Sequence, residues 1–295
     1  MTQHDATQRD ATKSDATKSG MSSRRNSPRI LMCPPEFYGI EYEINAWMNR
    51  ERTVDRAEAI RQWEQLVAIL KSLHVTIELV DPQPGLPDLV FTANAALMAG
   101  HRSFLSRFRH EQRQGEEPHF HAKLDALGFD VQTLADDHYF EGAGDALFCG
   151  ETLFGGYRIR STALSLQEIG RRLEREVIPL ELIDQRFYHL DTCFCPLTSI
   201  SAIWYPAAFD EYGQRVIRDA IPRLITLDDH EAAAFAANAV VVGHHVVTNV
   251  GCPKLQAALK SQGFTLVETP LSEFVKAGGS AKCLTLRLDG EEAAP

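Results

Sequence analysis

Residues 54–100 read VDRAEAIRQWEQLVAILKSLHVTIELVDPQPGLPDLVFTANAALMAG, and this stretch decides the fold class. Ala57, Ile60, Trp63, Leu66, Ile69 and Leu70 recur at helical spacing, which predicts an amphipathic helix over 54–75. TIELV then predicts a strand, the Pro/Gly-rich segment a turn, and PDLVF a second strand with Asn94 just after it. Working outward, RILMCPP at 29–35 is a strand closed by a Pro-Pro turn. Downstream, FHAKLDALGF, TALSLQEIGRRLEREV, YGQRVIRDAI and PKLQAALKSQGF read as helices, and DVQTL, IPLELI, LITL and TLVETPL as strands. NAVVVGHHVVTNV reads as a hairpin. Strands and helices thus alternate about five times without a long linker, which predicts a single compact α/β domain over 29–290. No glycine-rich phosphate loop precedes a helix, so a nucleotide-binding reading lacks its main support.

The flanks differ. DATQRDATKSDATKS at 5–19 is a degenerate five-residue repeat with almost no large apolar residue. It cannot offset its ordering entropy, so 1–28 is expected to be a disordered tail, and 291–295 a shorter one. Hydrophobic residues make up 44% of the 295, enough for a sizeable core. The formal net charge of −10 disfavours nucleic acid or an anionic membrane as partner, since both reward a basic face. No apolar run approaches a membrane span and no signal-peptide core opens the chain. The six cysteines show no paired zinc spacing and are expected to be reduced thiols of a cytoplasmic protein. A homo-oligomer is possible.

Four polar stretches interrupt apolar surroundings. They are PDLVFTANAA (87–96), FEGAGDALF (140–148), RFYHLDTCFCPL (186–197) and GGSAKCLTL (278–286). Taken singly, each has a structural reading: Asn94 as a turn cap, Glu141 and Asp145 as loop decoration, His189 and Asp191 as a hydrogen-bonded pair sharing one strand face, Cys283 as a packed core thiol. Together they supply a thiol, an imidazole and three carboxylates. That set suits thiol attack on a cationic carbon with proton shuttling. A guanidinium group is planar and stays protonated, carboxylates hold it fork to fork, and its charge favours a neighbouring thiolate.

EGAGDAL, FYHLDTCFCPL and GGSAKCLTLRL together resemble the guanidine-modifying enzymes of the amidinotransferase superfamily, which includes arginine deiminases, dimethylarginine dimethylaminohydrolases and glycine amidinotransferases. LMCPPEFYGIEYEINAWM, PDLVFTANAALM and RQGEEP look most like the bacterial and cyanobacterial arginine dihydrolases. The resemblance covers about 29–290 and implies the pentein fold, a five-bladed α/β propeller of ββαβ units. It further implies Cys283 as nucleophile, His189 as general acid and base, and Glu141 as the carboxylate supporting the His or the substrate. Asp145 and Asp191 would clamp the guanidinium. Asn45, Asn94 and Arg113 would bind substrate, Arg113 by pairing with its α-carboxylate, with Arg107 as the competing candidate.

One departure bears on the substrate. Where deiminases and dimethylaminohydrolases carry Arg-Asp, this chain has Ala93-Asn94. A neutral amide can accept from and donate to a neutral ureido group. The implied activity is therefore hydrolysis of L-arginine through citrulline to ornithine, ammonia and carbon dioxide, by way of a covalent thiouronium. A dimethylaminohydrolase or a deiminase is the alternative, ahead of an amidinotransferase or a non-catalytic binding protein. No metal or organic cofactor is called for. His244 and His245, adjacent in a strand, are expected on opposite faces, Cys193 and Cys195 in the core, and Lys282 pointing away from the nucleophile into solvent.

Overall fold

The computed structural model describes residues 27–290. The expected tails at 1–28 and 291–295 therefore lie outside the described residues, Ser27 and Pro28 excepted.

Fifteen strands form five three-stranded sheets among the described residues. Strands β1 (Arg29–Met32) and β2 (Thr76–Leu79) run parallel, joined by the helix Arg56–Ser72. The next sheet holds β3 (Ala96–Ala99), β4 (Arg102–Leu105) and β5 (Asp130–Gln132). It is followed by β6 (Ala146–Cys149), β7 (Thr152–Tyr157) and β8 (Val177–Glu181). Then come β9 (Phe194–Thr198), β10 (Ser201–Trp204) and β11 (Arg223–Thr226), and β12 (Val240–Val242), β13 (His245–Asn249) and β14 (Thr265–Thr269). In each, the first two strands are an antiparallel hairpin, and a helix crosses over to a third, parallel strand. This is the ββαβ unit of a pentein propeller. The fifth unit is closed by β15 (Leu286–Arg287), which pairs antiparallel with β1 through Ile30 and Leu31.

The strand β3, buried at every position, carries an uninterrupted apolar run, as a strand covered on both faces must. The helix Arg56–Ser72 starts where Asp55 accepts a hydrogen bond from the Glu58 N–H. Its buried stripe is Ala59, Gln62, Trp63, Leu66 and Leu70, rotated from the expected one so that Ala57 faces solvent. Gln62 is tolerated inside because it donates to Ser272 Oγ and accepts from the Glu273 N–H.

Two local expectations fail. PDLVF is not a strand: Pro87–Val90 and Thr92–Asn94 are 3-10 turns, so Asn94 precedes its strand. His189 and Asp191 do not alternate along a strand either, because Leu190–Thr192 is another 3-10 turn. No described helix is long and apolar enough to cross a membrane.

Candidate active site

The turns that precede the first strands of the blades converge. Thr92–Asn94, Gly142–Gly144 and Leu190–Thr192 each make one 3-10 turn before β3, β6 and β9. Asn238 sits two residues before β12, and Cys283 three before β15. Asn45, Asp88, Asn94, Arg113, Arg160 and Cys283 face one small cavity. The strap at 44–48 covers it, held where the Asn45 side-chain amide donates to the Ala277 carbonyl and the Trp47 indole to the Arg186 carbonyl.

Cys283 is 2% exposed, and its sulfur lies 3.6 Å from Asp191 Oδ2. Burial first, then the Asp191 carboxylate, push its thiol well above the ordinary range. The flanking glycines serve close approach, not flexibility. Gly278 holds φ +85°, and a Cβ on Gly279 would lie 2.5 Å from the Phe91 ring.

His189 Nε2 is 2.7 Å from Glu141 Oε2, with both residues wholly buried. Burial alone would raise the Glu141 carboxyl, but Arg160 and then His189 bring it well below the usual carboxylate range. An ionised Glu141 can only accept, so His189 Nε2 carries the proton and donates. Nδ1 has no partner among the described residues and is the nitrogen left for chemistry. Arg160 completes the group by donating to Glu141 Oε2 at 2.9 Å and to the Ile44 carbonyl, with its guanidinium over the Tyr188 ring. Its buried Nε has no partner among the described residues.

The structure gives Asp145 a task other than clamping a guanidinium. Its Oδ2 accepts from the Ser161 hydroxyl at 2.6 Å and backbone N–H, and its Oδ1 from the Leu190 N–H. It anchors the turn after His189 and, like Glu141, His189 and Asp191, lies behind the residues that face the cavity. Burial pushes its carboxyl up to about 6, His189 opposing. Arg113 does face the cavity, but its fork is already filled. Nε and Nη2 grip the Glu116 carboxylate, Nη2 also reaches the Asp88 carbonyl, and Nη1 donates to Asn94 Oδ1. A bidentate grip on a substrate carboxylate is therefore not open to it as it stands. Arg107 lies outside, half-exposed against Asp136.

Asn94 bridges Arg113 and the Glu141 carbonyl, to which its Nδ2 donates at 3.1 Å. Asn45 Oδ1 accepts from the backbone of Trp47 and Met48, shaping the strap. Three residues at the site escaped the sequence reading: Arg160, Asn238 and Asp88. Asp88 Oδ1 is buried without a partner among the described residues. For Asn238 a signal did exist, because Phe235-Ala-Ala-Asn-Ala239 repeats Phe91-Thr-Ala-Asn-Ala95.

Lys282 does point away from the cavity, but into a second, apolar-walled cavity beside Ile30, Leu147 and Val241, and not into solvent. His244 and His245 are not on opposite faces: β13 begins only at His245, and the two rings lie 4.0 Å apart. Cys193 and Cys195 are buried in the core. No cluster of three or more metal-ligating side chains occurs among the described residues.

Residues 39–289 match the family model described as N,N dimethylarginine dimethylhydrolase, eukaryotic. The bifunctional arginine dihydrolase/ornithine cyclodeaminase ArgZ of Synechocystis sp. is 48% identical over 265 residues, 88% of this chain but 37% of that protein. The chain thus spans well under half the length of that relative. The N(G),N(G)-dimethylarginine dimethylaminohydrolase of Mycobacterium tuberculosis is 36% identical over 270 residues, 90% of this chain and 89% of that one. A crystal structure of the N-terminal domain of ArgZ, bound to substrate and described as a cyanobacterial arginine dihydrolase, superposes with a TM-score of 0.86 at 47% identity. It covers 89% of this chain and 98% of that domain. By its matched span, its relatives and its five ββαβ blades, the chain belongs to the dimethylarginine dimethylaminohydrolase family of the pentein-fold, guanidine-modifying amidinotransferase superfamily.

Proposed function

We propose that this chain is an arginine dihydrolase, converting L-arginine and two waters to ornithine, two ammonia and carbon dioxide at Cys283. The observation that carries the reading is a buried thiol 3.6 Å from the Asp191 carboxylate, on the wall of a cavity that Asp88 also faces. Two carboxylates beside a nucleophile suit a guanidinium cation. The names of the bifunctional relatives and the substrate-bound dihydrolase domain support the same substrate.

The steps follow from the charges. Burial and Asp191 by themselves favour the protonated thiol. A bound guanidinium offsets the carboxylate charge and favours the thiolate. Sulfur attacks the guanidinium carbon, and the thiol proton passes by way of His189 Nδ1 to a terminal nitrogen, which leaves as ammonia. Water then adds to the thiouronium, giving up a proton to His189, and the C–S bond breaks to release citrulline. A second round on the ureido carbon expels the second ammonia. The carbamate of ornithine that water releases loses carbon dioxide. Glu141 stabilises the imidazolium in each round. Arg113 and Arg160 both face the cavity and are the arginines proposed for the substrate α-carboxylate, Arg160 through its unpaired Nε.

The family description and the mycobacterial relative favour a second reading, in which dimethylamine leaves. Incubation with arginine, citrulline and dimethylarginine separates the two by product. Ornithine with two ammonia per arginine supports the dihydrolase. Citrulline as end product makes the chain a deiminase, and dimethylamine release with inert arginine makes it a dimethylaminohydrolase.

A further inference from the structure

The nucleophile is gripped by one side chain from a different blade. Asn238 is wholly buried. Its Oδ1 accepts from two backbone N–H groups of the nucleophile turn, Ser280 at 3.0 Å and Cys283 at 3.1 Å. An oxygen that receives two N–H donors cannot be exchanged with the amide nitrogen, so the orientation of the carboxamide is fixed. Its Nδ2 therefore points the other way, donating to the Asp191 carbonyl at 3.0 Å and to the Cys283 sulfur at 3.2 Å. The Asn238 carbonyl also accepts from the Lys282 N–H. The segment that carries Asn238 is itself tied down. Thr248 Oγ1 donates to the carbonyls of Phe235 and Ala236, and Asn249 Nδ2 to that of Ala234.

We infer that Asn238 is a catalytic residue whose side-chain N–H stabilises the Cys283 thiolate, while its oxygen sets the nucleophile turn and its second N–H registers that turn against Asp191. The inference rests on the thiol chemistry proposed for this site. A thiolate accepts a hydrogen bond more strongly than a thiol. The bond is therefore worth more once the proton has left sulfur than before, which is the condition for lowering a barrier and not merely holding a fold. The same bond assists the end of each round, when the C–S bond breaks and sulfur leaves as an anion. Within two residues the site opposes and supports the thiolate: Asp191 Oδ2 faces the sulfur with negative charge, and Asn238 Nδ2 faces it with a donor.

The blade repeat adds a reason for an asparagine here. Asn94 and Asn238 each stand two residues before the first strand of a blade, in the shared Phe-x-Ala-Asn-Ala frame. In both, Oδ1 accepts from a neighbouring chain segment and Nδ2 donates toward a catalytic segment, the Glu141 carbonyl in one and Cys283 in the other.

The test separates donation to sulfur from support of the fold. Asn238→Asp is isosteric and keeps the oxygen that Ser280 and Cys283 use, but it replaces the donor to sulfur with an acceptor. In the substrate-free full chain, alkylation of Cys283 by iodoacetamide at a fixed, mildly alkaline pH reads the thiolate fraction, with the modified peptide identified by mass spectrometry. A loss of about one pKa unit of stabilisation gives about tenfold slower alkylation. On arginine, kcat falls by a similar factor or more while KM stays within about threefold. Asn238→Ala is run in parallel in case the Asp variant does not fold. It loosens the turn, so a purely structural role makes alkylation as fast as wild type or faster, and that result in the folded variants overturns the inference. Should the wild-type chain turn over no guanidino substrate, the proposed function fails, while the alkylation rates still decide whether Asn238 stabilises the thiolate.

Discussion

The Asp191 carboxylate stands 3.6 Å from the Cys283 sulfur, inside the protein, with the Asn238 amide on the same sulfur at 3.2 Å. A carboxylate so close disfavours the thiolate until a cation arrives. Asp191→Asn removes that charge. Substrate-free alkylation of Cys283 then speeds up by about tenfold or more, while arginine turnover falls by about a hundredfold, because the substrate loses a clamp. Opposite signs from one substitution, read by iodoacetamide kinetics and an ammonia assay, check the pairing. Alkylation that slows instead contradicts it.

Gly144 has no room for a methyl group. A Cβ there would lie 2.2 Å from Asn94 Nδ2 and 3.4 Å from His189 Cγ. Gly144→Ala therefore drives Asn94 off the Glu141 carbonyl and crowds the imidazole. The expected cost is about 1–3 kcal/mol of stability from overpacking. Activity drops further than that loss explains, and urea unfolding alongside steady-state kinetics on arginine measures both.

In the proposed reaction, Asn94 is the residue assigned to the ureido group and hence to release of the second ammonia. Asn94→Asp places an acceptor against the Glu141 carbonyl and a charge beside Arg113. Ammonia release from arginine survives at a reduced rate, whereas release from added citrulline falls at least tenfold further. Citrulline then accumulates in a time course followed by mass spectrometry. An unchanged ratio of ornithine to citrulline removes Asn94 from substrate discrimination.

Asp145 gives the stability a dependence on pH. Its carboxyl, raised to about 6 by burial, binds its proton more tightly in the folded chain than in the unfolded one, where the pKa is about 4. Its contribution is therefore full below about pH 4 and is lost as pH rises through about 6. Asp145→Asn cannot titrate. The difference in urea midpoint, wild type minus variant, accordingly shrinks between pH 4 and 6, by about 3 kcal/mol in unfolding free energy. Glu141, lowered in the fold, has the opposite sign and begins to act as pH falls below about 5, but it is common to both proteins and cancels in the difference.

Much of the propeller was legible because each blade announces itself locally. The helices at 56–72, 163–173 and 253–261 carry helical apolar spacing, and β12–β13 carry a hairpin signal around Gly243. Leu89-Val90-Phe91 misled because a 3-10 turn buried on all sides is as apolar as a strand. The residue types at the site were legible too, but their tasks were not. Asp145 is claimed by Ser161 and by the Leu190 N–H, 16 and 45 residues away. Arg113 is claimed by Glu116, three residues on, a pairing that spacing allows but does not demand. Asn238 lay in plain view within a repeated pentapeptide, yet nothing local says that its amide ends on a sulfur 45 residues away.

The fifth blade joins β15 to β1, across nearly the whole described chain. Cys283 lies three residues before β15, and the carboxylates and imidazole it works with belong to earlier blades. On the ribosome, four hairpins and their crossover helices emerge before the thiol does. Pairings that distant in sequence carry the largest loop-closure cost and form late. The pairing that brings the nucleophile into place is thus among the longest-range in the fold, so the reactive centre is complete only when the propeller closes.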